Sequence, residues 1–228
     1  MDSVATAAPR SRDRAARGAR VRDGGGGSAG VSARQPARAH QSGLRVFLAL
    51  NLPEATRQAL WRAAAPLRDL GFPIRWVRPE GIHLTLKFLG EVAEQRDAEL
   101  VAALARAARG ARALPLTLGG FGAFPDFQRP RVVWAGVAPD PSLELLQNQI
   151  EEVFAPLGFP TEARPFRPHL TLGRAGREGR SRDFARLEAA LGLLEFAETV
   201  LVGSVDLMQS TLQSGGAVYQ VRHSERLP

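Results

Sequence analysis

The 228-residue chain contains no cysteine. That excludes a disulfide framework, a thiol nucleophile and any thiolate-bound metal. Lysine is nearly missing too: Lys87 stands alone against 29 arginines. No apolar run reaches about 18 residues, so no segment can cross a bilayer as a helix. The N-terminus lacks the apolar stretch of a secretory signal, and a cytoplasmic protein is expected. What is present is 44% hydrophobic and 23% charged, enough for most of the chain to bury a core.

The charge is unevenly placed. Residues 1–42 hold eight Arg and three Asp, so 5 of the net +7 charges belong to them. Their only large aliphatics are Val4, Val21 and Val31, and Gly24 to Gly27 form a glycine run. This composition predicts a disordered tail, either a natural extension or an upstream start; acids interrupt its basic run, against a transit peptide. The remaining +2 gives little reason to expect a broad basic patch on the body. One domain over 43–228 is expected.

Hydrophobic periodicity predicts strands at 44–52, 74–77, 82–89, 114–124, 130–137 and 168–174. Two more are expected near 197–212 and 217–223. Helices are expected at 53–70, 94–109, 141–156 and 182–194. Leu-Gly-Phe-Pro occurs at 70–73 and again at 157–160. His-Leu-Thr-Leu follows each copy, at 83–86 and 169–172. Upstream, the segments beginning at Val46 and Val133 share a strand followed by a Pro-started helix. A unit of about 85 residues has been duplicated. Two such units predict an α+β fold of two lobes related by a pseudo-two-fold axis. Each lobe would carry an antiparallel sheet with helices outside, and a cleft would lie between them.

In a strand, residues two apart share a face. His83, Thr85 and Lys87 are therefore expected together, with Ile82, Leu84, Leu86 and Phe88 in the core. His169 and Thr171 pair in the same way. Opposed imidazoles can give and take protons on two sides of a reacting centre, because histidine titrates near neutrality. Two threonine hydroxyls can donate to the charged oxygens between them. An in-line displacement at phosphorus needs that set. A lone strand histidine is most often structural. Two of four histidines with Thr at +2 would arise by chance in roughly 1% of such chains, and here they match in a duplicated frame.

Other chemistries fit less well. Neither motif has an acid two residues away, so no metal site is expected, although Glu80 or Asp206 could approach. No Gly-x-Ser-x-Gly elbow occurs. The stretch Gly119–Gly122 lacks the lysine of a phosphate loop and is expected to kink a strand end. His40 lies in the tail, and His223 lacks a following Thr.

The segments RWVRPEGIHLTLKFLGEV (75–92), GAFPDFQRPRVVWAGV (122–137) and FRPHLTLGR (166–174) closely resemble the bacterial and archaeal RNA 2′,3′-cyclic phosphodiesterases. These belong to the 2H phosphoesterase superfamily and are also called 2′-5′ RNA ligases. The likeness covers about 44–224. It implies a bilobal α+β fold and metal-independent opening of a 2′,3′-cyclic phosphate to a 2′-phosphomonoester, without a cofactor. It assigns His83 as proton donor and His169 as proton acceptor, with Thr85 and Thr171 on the phosphate. Arg174 and Phe47 match family positions at the substrate. Strict alternation turns Arg174 away from Thr171, unless Gly173 or the strand end turns it back. Arg131 and Lys87 are further candidates to face the nucleotide, and Trp134, Phe124 and Tyr219 to stack on a base. The implied partner is RNA with a 2′,3′-cyclic phosphate end, tRNA fragments and small cyclic nucleotides being candidates. A monomer with no membrane contact is expected. Two alternatives stay open: an RNA-end-binding or processing factor, and a 2′-5′ RNA ligase using the same site.

Overall fold

A computed structural model describes residues 43–214 and 216–228. The expected tail and His40 lie outside the described residues. Among the described residues, nine strands alternate irregularly with five α-helices. β1 (Leu44–Asn51) leads to α1 (Glu54–Ala63), α2 (Ala65–Asp69) and β2 (Ile74–Trp76). β3 (His83–Val92), α3 (Asp97–Ala107), β4 (Leu114–Phe124) and β5 (Val132–Val137) follow. Then come α4 (Pro141–Phe154), β6 (His169–Ala175), α5 (Leu187–Gly192), β7 (Ala197–Val202), β8 (Ser204–Gln213) and β9 (Gly216–Arg226).

Two expected helices are shorter than their periodicity suggests. The helix expected at 53–70 breaks at Ala64, because Pro66 carries no N–H to continue the ladder. That expected at 182–194 is a 3-10 turn, Ser181–Phe184, followed by the short α5. α4 is capped as its sequence predicts: Asp140 accepts from the N–H groups of Ser142 (2.9 Å) and Leu143 (3.0 Å), and Pro141 opens the helix.

All strand pairs are antiparallel, and the order is β7-β4-β5-β6-β3-β1-β8-β9, with β2 added to β6. The duplicated strands sit at the centre in mirrored order: β5 and β6 meet β3 and β1. The α+β class with antiparallel pairing is as expected. One hydrogen-bonded path runs through the antiparallel strands of both halves, joined at the single pair Leu84↔Leu170.

The halves also exchange helices. α4, which follows β5, packs on β3 and α3. α1, which follows β1, reaches β7, where Thr56 Oγ1 donates to Glu198 Oε1 at 2.7 Å. The main core draws Leu48, Leu84, Leu104, Leu118, Leu146 and Leu170 from both halves, and a second cluster packs Leu67 and Leu187 against Ile74, Ala123 and Val133. At about 1.5–3 kcal/mol per buried Leu, neither half can lose this face to solvent cheaply. α3 and α4 pack on the strands at the main core. On the other face Phe47, Ala49 and Met208 form a small separate cluster against Tyr219.

The glycines at 119–122 lie inside β4. Gly120 takes φ +70° at an irregularity between Leu118 and Phe121. The kink is real, but it falls within the strand.

Candidate active site

β3 and β6 meet at Leu84↔Leu170, and both leucines are fully buried toward the helices. One residue to either side, an antiparallel register sets His83 across from Thr171 and Thr85 across from His169. Imidazoles and hydroxyls therefore occupy alternate corners of one patch on the face away from the helices. Its sides are about 5 Å across the strands and about 6.5–7 Å along them, measured between Cα atoms. All four side chains are partly exposed.

Beyond each threonine the alternation breaks. Ala49 stands opposite Thr85, but Leu48 stands opposite Lys87, so β3 carries one extra residue. The bulge reverses the expected faces. Lys87 turns into the core side, where it is 6% exposed, pairs with Glu151 of α4 and donates to the Pro160 carbonyl at 2.9 Å. Gln147 Nε2 donates to the other Glu151 oxygen at 3.0 Å. Lys87 thus does not face a nucleotide; it ties β3 to α4. Phe88, expected in the core, emerges on the histidine face, 69% exposed, with its ring 5.9 Å from that of Phe47.

β6 does the same against β5. Trp134 stands opposite Thr171 and Val133 opposite Gly173, again leaving one extra residue. The bulge turns Arg174 onto the face of Thr171, as strict alternation would not. Gly173 permits this because a Cβ there would stand 2.5 Å from Ile74 Cγ2 and 2.9 Å from Trp76 Cε3 of the adjoining β2. Phe88 and Arg174 are equivalent positions, each five residues past its histidine.

His169 Nδ1–H donates to the Arg167 carbonyl at 2.8 Å. A carbonyl can only accept, so the proton sits on Nδ1 and Nε2 keeps its lone pair. The Gly81 backbone, also two residues upstream, acts on His83 in the same sense. Both rings are also desolvated. His83 lies against Phe47 (4.9 Å, 32°) with Tyr219 edge-on (4.9 Å, 80°). That burial, helped by the charges of Arg174 and His169 and opposed by the Gly81 backbone, lowers its pKa from 6.5 to about 4. Burial also lowers the pKa of His169, against the pull of the Arg167 bond, and Arg174 adds to the lowering. Phe124 meets His169 edge-on at 5.1 Å. Arg174 is thus the one guanidinium whose charge acts on both histidines.

The other candidates divide. Phe47 is 3% exposed and forms the floor beneath His83. Arg131 is exposed just before β5, its carbonyl accepting from Ala175 N–H at 3.1 Å, and its charge is not among those acting on either imidazole. Trp134 lies flat over Gly122, 5.1 Å from Phe124, with its Nε1–H unpartnered. Asp206 is buried and taken up by Asn51 Nδ2 (2.7 Å) and Ser224 Oγ (2.5 Å). His223 Nε2 stands 3.4 Å from Glu225 Oε2. Among the described residues, no group of three or more His, Asp or Glu is arranged to hold a metal ion. Phe88 and the contact of Tyr219 with His83 escaped the sequence reading. No local signal marks a bulge at Leu86, and Tyr219 reaches His83 across 136 residues.

The chain has relatives of known name and structure. The chain is 33% identical to the RNA 2′,3′-cyclic phosphodiesterase of Methanothermobacter thermautotrophicus, over 77% of this chain and 95% of that one. It is 37% identical to the protein of the same name in Aeropyrum pernix, over 68% and 90% respectively. A crystal structure of a Thermus thermophilus protein matches with a TM-score of 0.67 at 30% identity, covering 80% of this chain and 97% of that one. LigT of E. coli complexed with 3′-AMP matches with a TM-score of 0.62 at 29% identity, covering 81% and 98%. Residues 56–213 match the model of the 2'-5' RNA ligase superfamily, and the chain belongs to that family.

Proposed function

We propose that this protein is an RNA 2′,3′-cyclic phosphodiesterase that opens the cyclic phosphate to a 2′-phosphomonoester without a metal. The observation that carries the reading is the four-cornered patch, with two imidazoles on one diagonal and two hydroxyls on the other. The names of the relatives support the substrate class.

A cyclic phosphate seated over Leu84↔Leu170 has an imidazole on either side. Water attacks phosphorus in line with the bond to the 3′ oxygen. His169 Nε2 takes the proton from the water as the new P–O bond forms. A His83 ring nitrogen gives its proton to the departing 3′ oxygen as the P–O3′ bond breaks. The products are a free 3′ hydroxyl and a 2′-phosphate. Thr85 and Thr171 donate to the non-bridging oxygens, and Arg174 balances their charge. Both histidines are neutral near pH 7 in the free protein, since both pKa values are lowered. The charge of the bound anion favours protonation of His83, which takes that proton from solvent, while His169 stays neutral as the base. Ligation through a 2′-5′ bond, which the family description also names, would run the same proton transfers in reverse.

The test is incubation of the purified protein with RNA ending in a 2′,3′-cyclic phosphate, in EDTA, with product ends identified. A 2′-phosphate end is expected. Loss of turnover on chelation, restored by a divalent metal, would overturn the metal-independent reading.

A further inference from the structure

The histidine face continues past Arg174 onto β2. Arg75 is registered directly opposite Arg174, so two guanidiniums rise from neighbouring strands on one face. Like charges placed opposite each other destabilise a sheet. Both side chains are exposed, and neither has an ion-pair or hydrogen-bond partner among the described residues. No carboxylate offsets their repulsion; an anion bound between them would.

The two arginines are not equivalent. Arg174 acts on both imidazoles, whereas Arg75 is not among the charges acting on either. Arg75 lies one strand beyond Arg174, on β2. The start of β9 approaches it from one side. A Cβ on Gly216, at the start of β9, would stand 3.8 Å from Arg75 Cδ. Three residues on, Tyr219 meets His83, and its ring lies 3.2 Å from where a Gly81 Cβ would be. The start of β9 thus forms a wall running from the histidine to Arg75.

We propose that Arg75, with Arg174, forms a second phosphate subsite that takes the 5′-phosphate of the terminal nucleotide. The protein would then bind the end of a polynucleotide more tightly than an isolated nucleoside cyclic phosphate. The planar fork of arginine suits a phosphate held this way. This inference rests on the phosphodiesterase reading, which puts the cyclic phosphate over the histidines and so the next phosphate one nucleoside away.

Calorimetric titration of the full chain with a nucleoside 2′-monophosphate and with the corresponding 2′,5′-bisphosphate isolates the subsite without any turnover. The bisphosphate should bind at least about tenfold more tightly, the scale of one charge-assisted contact. Arg75→Ala should remove most of that advantage. Arg75→Lys should keep part of it, because the charge is retained and the fork is lost. Thermal unfolding of each variant checks that the exposed substitution leaves the fold intact. An advantage of the same size in Arg75→Ala, or none in the unaltered protein, overturns the subsite. If cyclic phosphates are hydrolysed while the bisphosphate gains nothing, the subsite alone fails. If nothing is hydrolysed but the bisphosphate advantage depends on Arg75, the phosphodiesterase reading fails and the anion site stands.

Discussion

The two halves of the patch share a frame and differ in lining. In each, a bulged strand presents His and Thr, and the backbone two residues upstream acts on the imidazole. His83, however, is enclosed by Phe47 and Tyr219, whereas His169 meets Phe124 edge-on. Past the bulges the equivalent positions hold an exposed Phe88 and an exposed Arg174. Duplication thus supplied the geometry, and divergence of the surrounding side chains made the two imidazoles chemically unequal. The anchoring differs too. β3 fixes its bulge through Lys87 and Glu151, whereas β6 relies on a glycine packed against β2.

Several substitutions separate what the halves share from what they do not. His83→Ala and His169→Ala should each lower turnover at least about 100-fold, the scale of general acid–base assistance. Near-normal turnover in either would break the equivalence of the frames. Thr85→Val and Thr171→Val should each slow the reaction roughly 10- to 1,000-fold by removing one donor to the phosphate, with Thr→Ser restoring much of it. Full activity of both Val variants would leave the threonines as mere strand formers.

Glu151→Ala addresses the anchoring. It leaves the Lys87 ammonium buried and unpaired, and denaturant unfolding should show a loss of about 3–5 kcal/mol. A loss within about 1 kcal/mol of zero would mean that the bulge of β3 does not depend on its ion pair. The smallest effect concerns the lining. Tyr219→Ala admits water to His83, and since burial is the main cause of its lowered pKa, that pKa should rise from about 4 toward 6.5. Because free-protein pKa values set kcat/KM, the unaltered protein should be most active by that measure on the acid side of 6.5, and the acid limb should move upward in the variant. NMR titration of both rings would show whether His83 alone responds.

Much of this was legible in the sequence because duplication prints the same signal twice. The repeated His-Leu-Thr-Leu fixed the strands, the shared face of each His–Thr pair and the central position of β3 and β6. Period-two reasoning failed one residue later, at Leu86 and Leu172, because a bulge adds a residue without changing composition. Gly173 was a visible hint in β6; Leu86-Lys87 offered none. The continuity of the strand path was also hidden, since one ladder pair, Leu84↔Leu170, joins the halves. The wall at Tyr219 depends on where a distant hairpin lands, which local pattern does not encode.

The central claim is that His83 gives a proton to the leaving 3′ oxygen while His169 takes one from water. A cyclic phosphate with sulfur in place of the bridging 3′ oxygen tests it most directly, because a thiolate leaves without help from an acid. On that substrate His83→Ala should recover to within about tenfold of the unaltered protein, while His169→Ala should stay at least about 100-fold slower. Equal deficits in the two variants, or recovery of His169→Ala instead, would contradict the assignment.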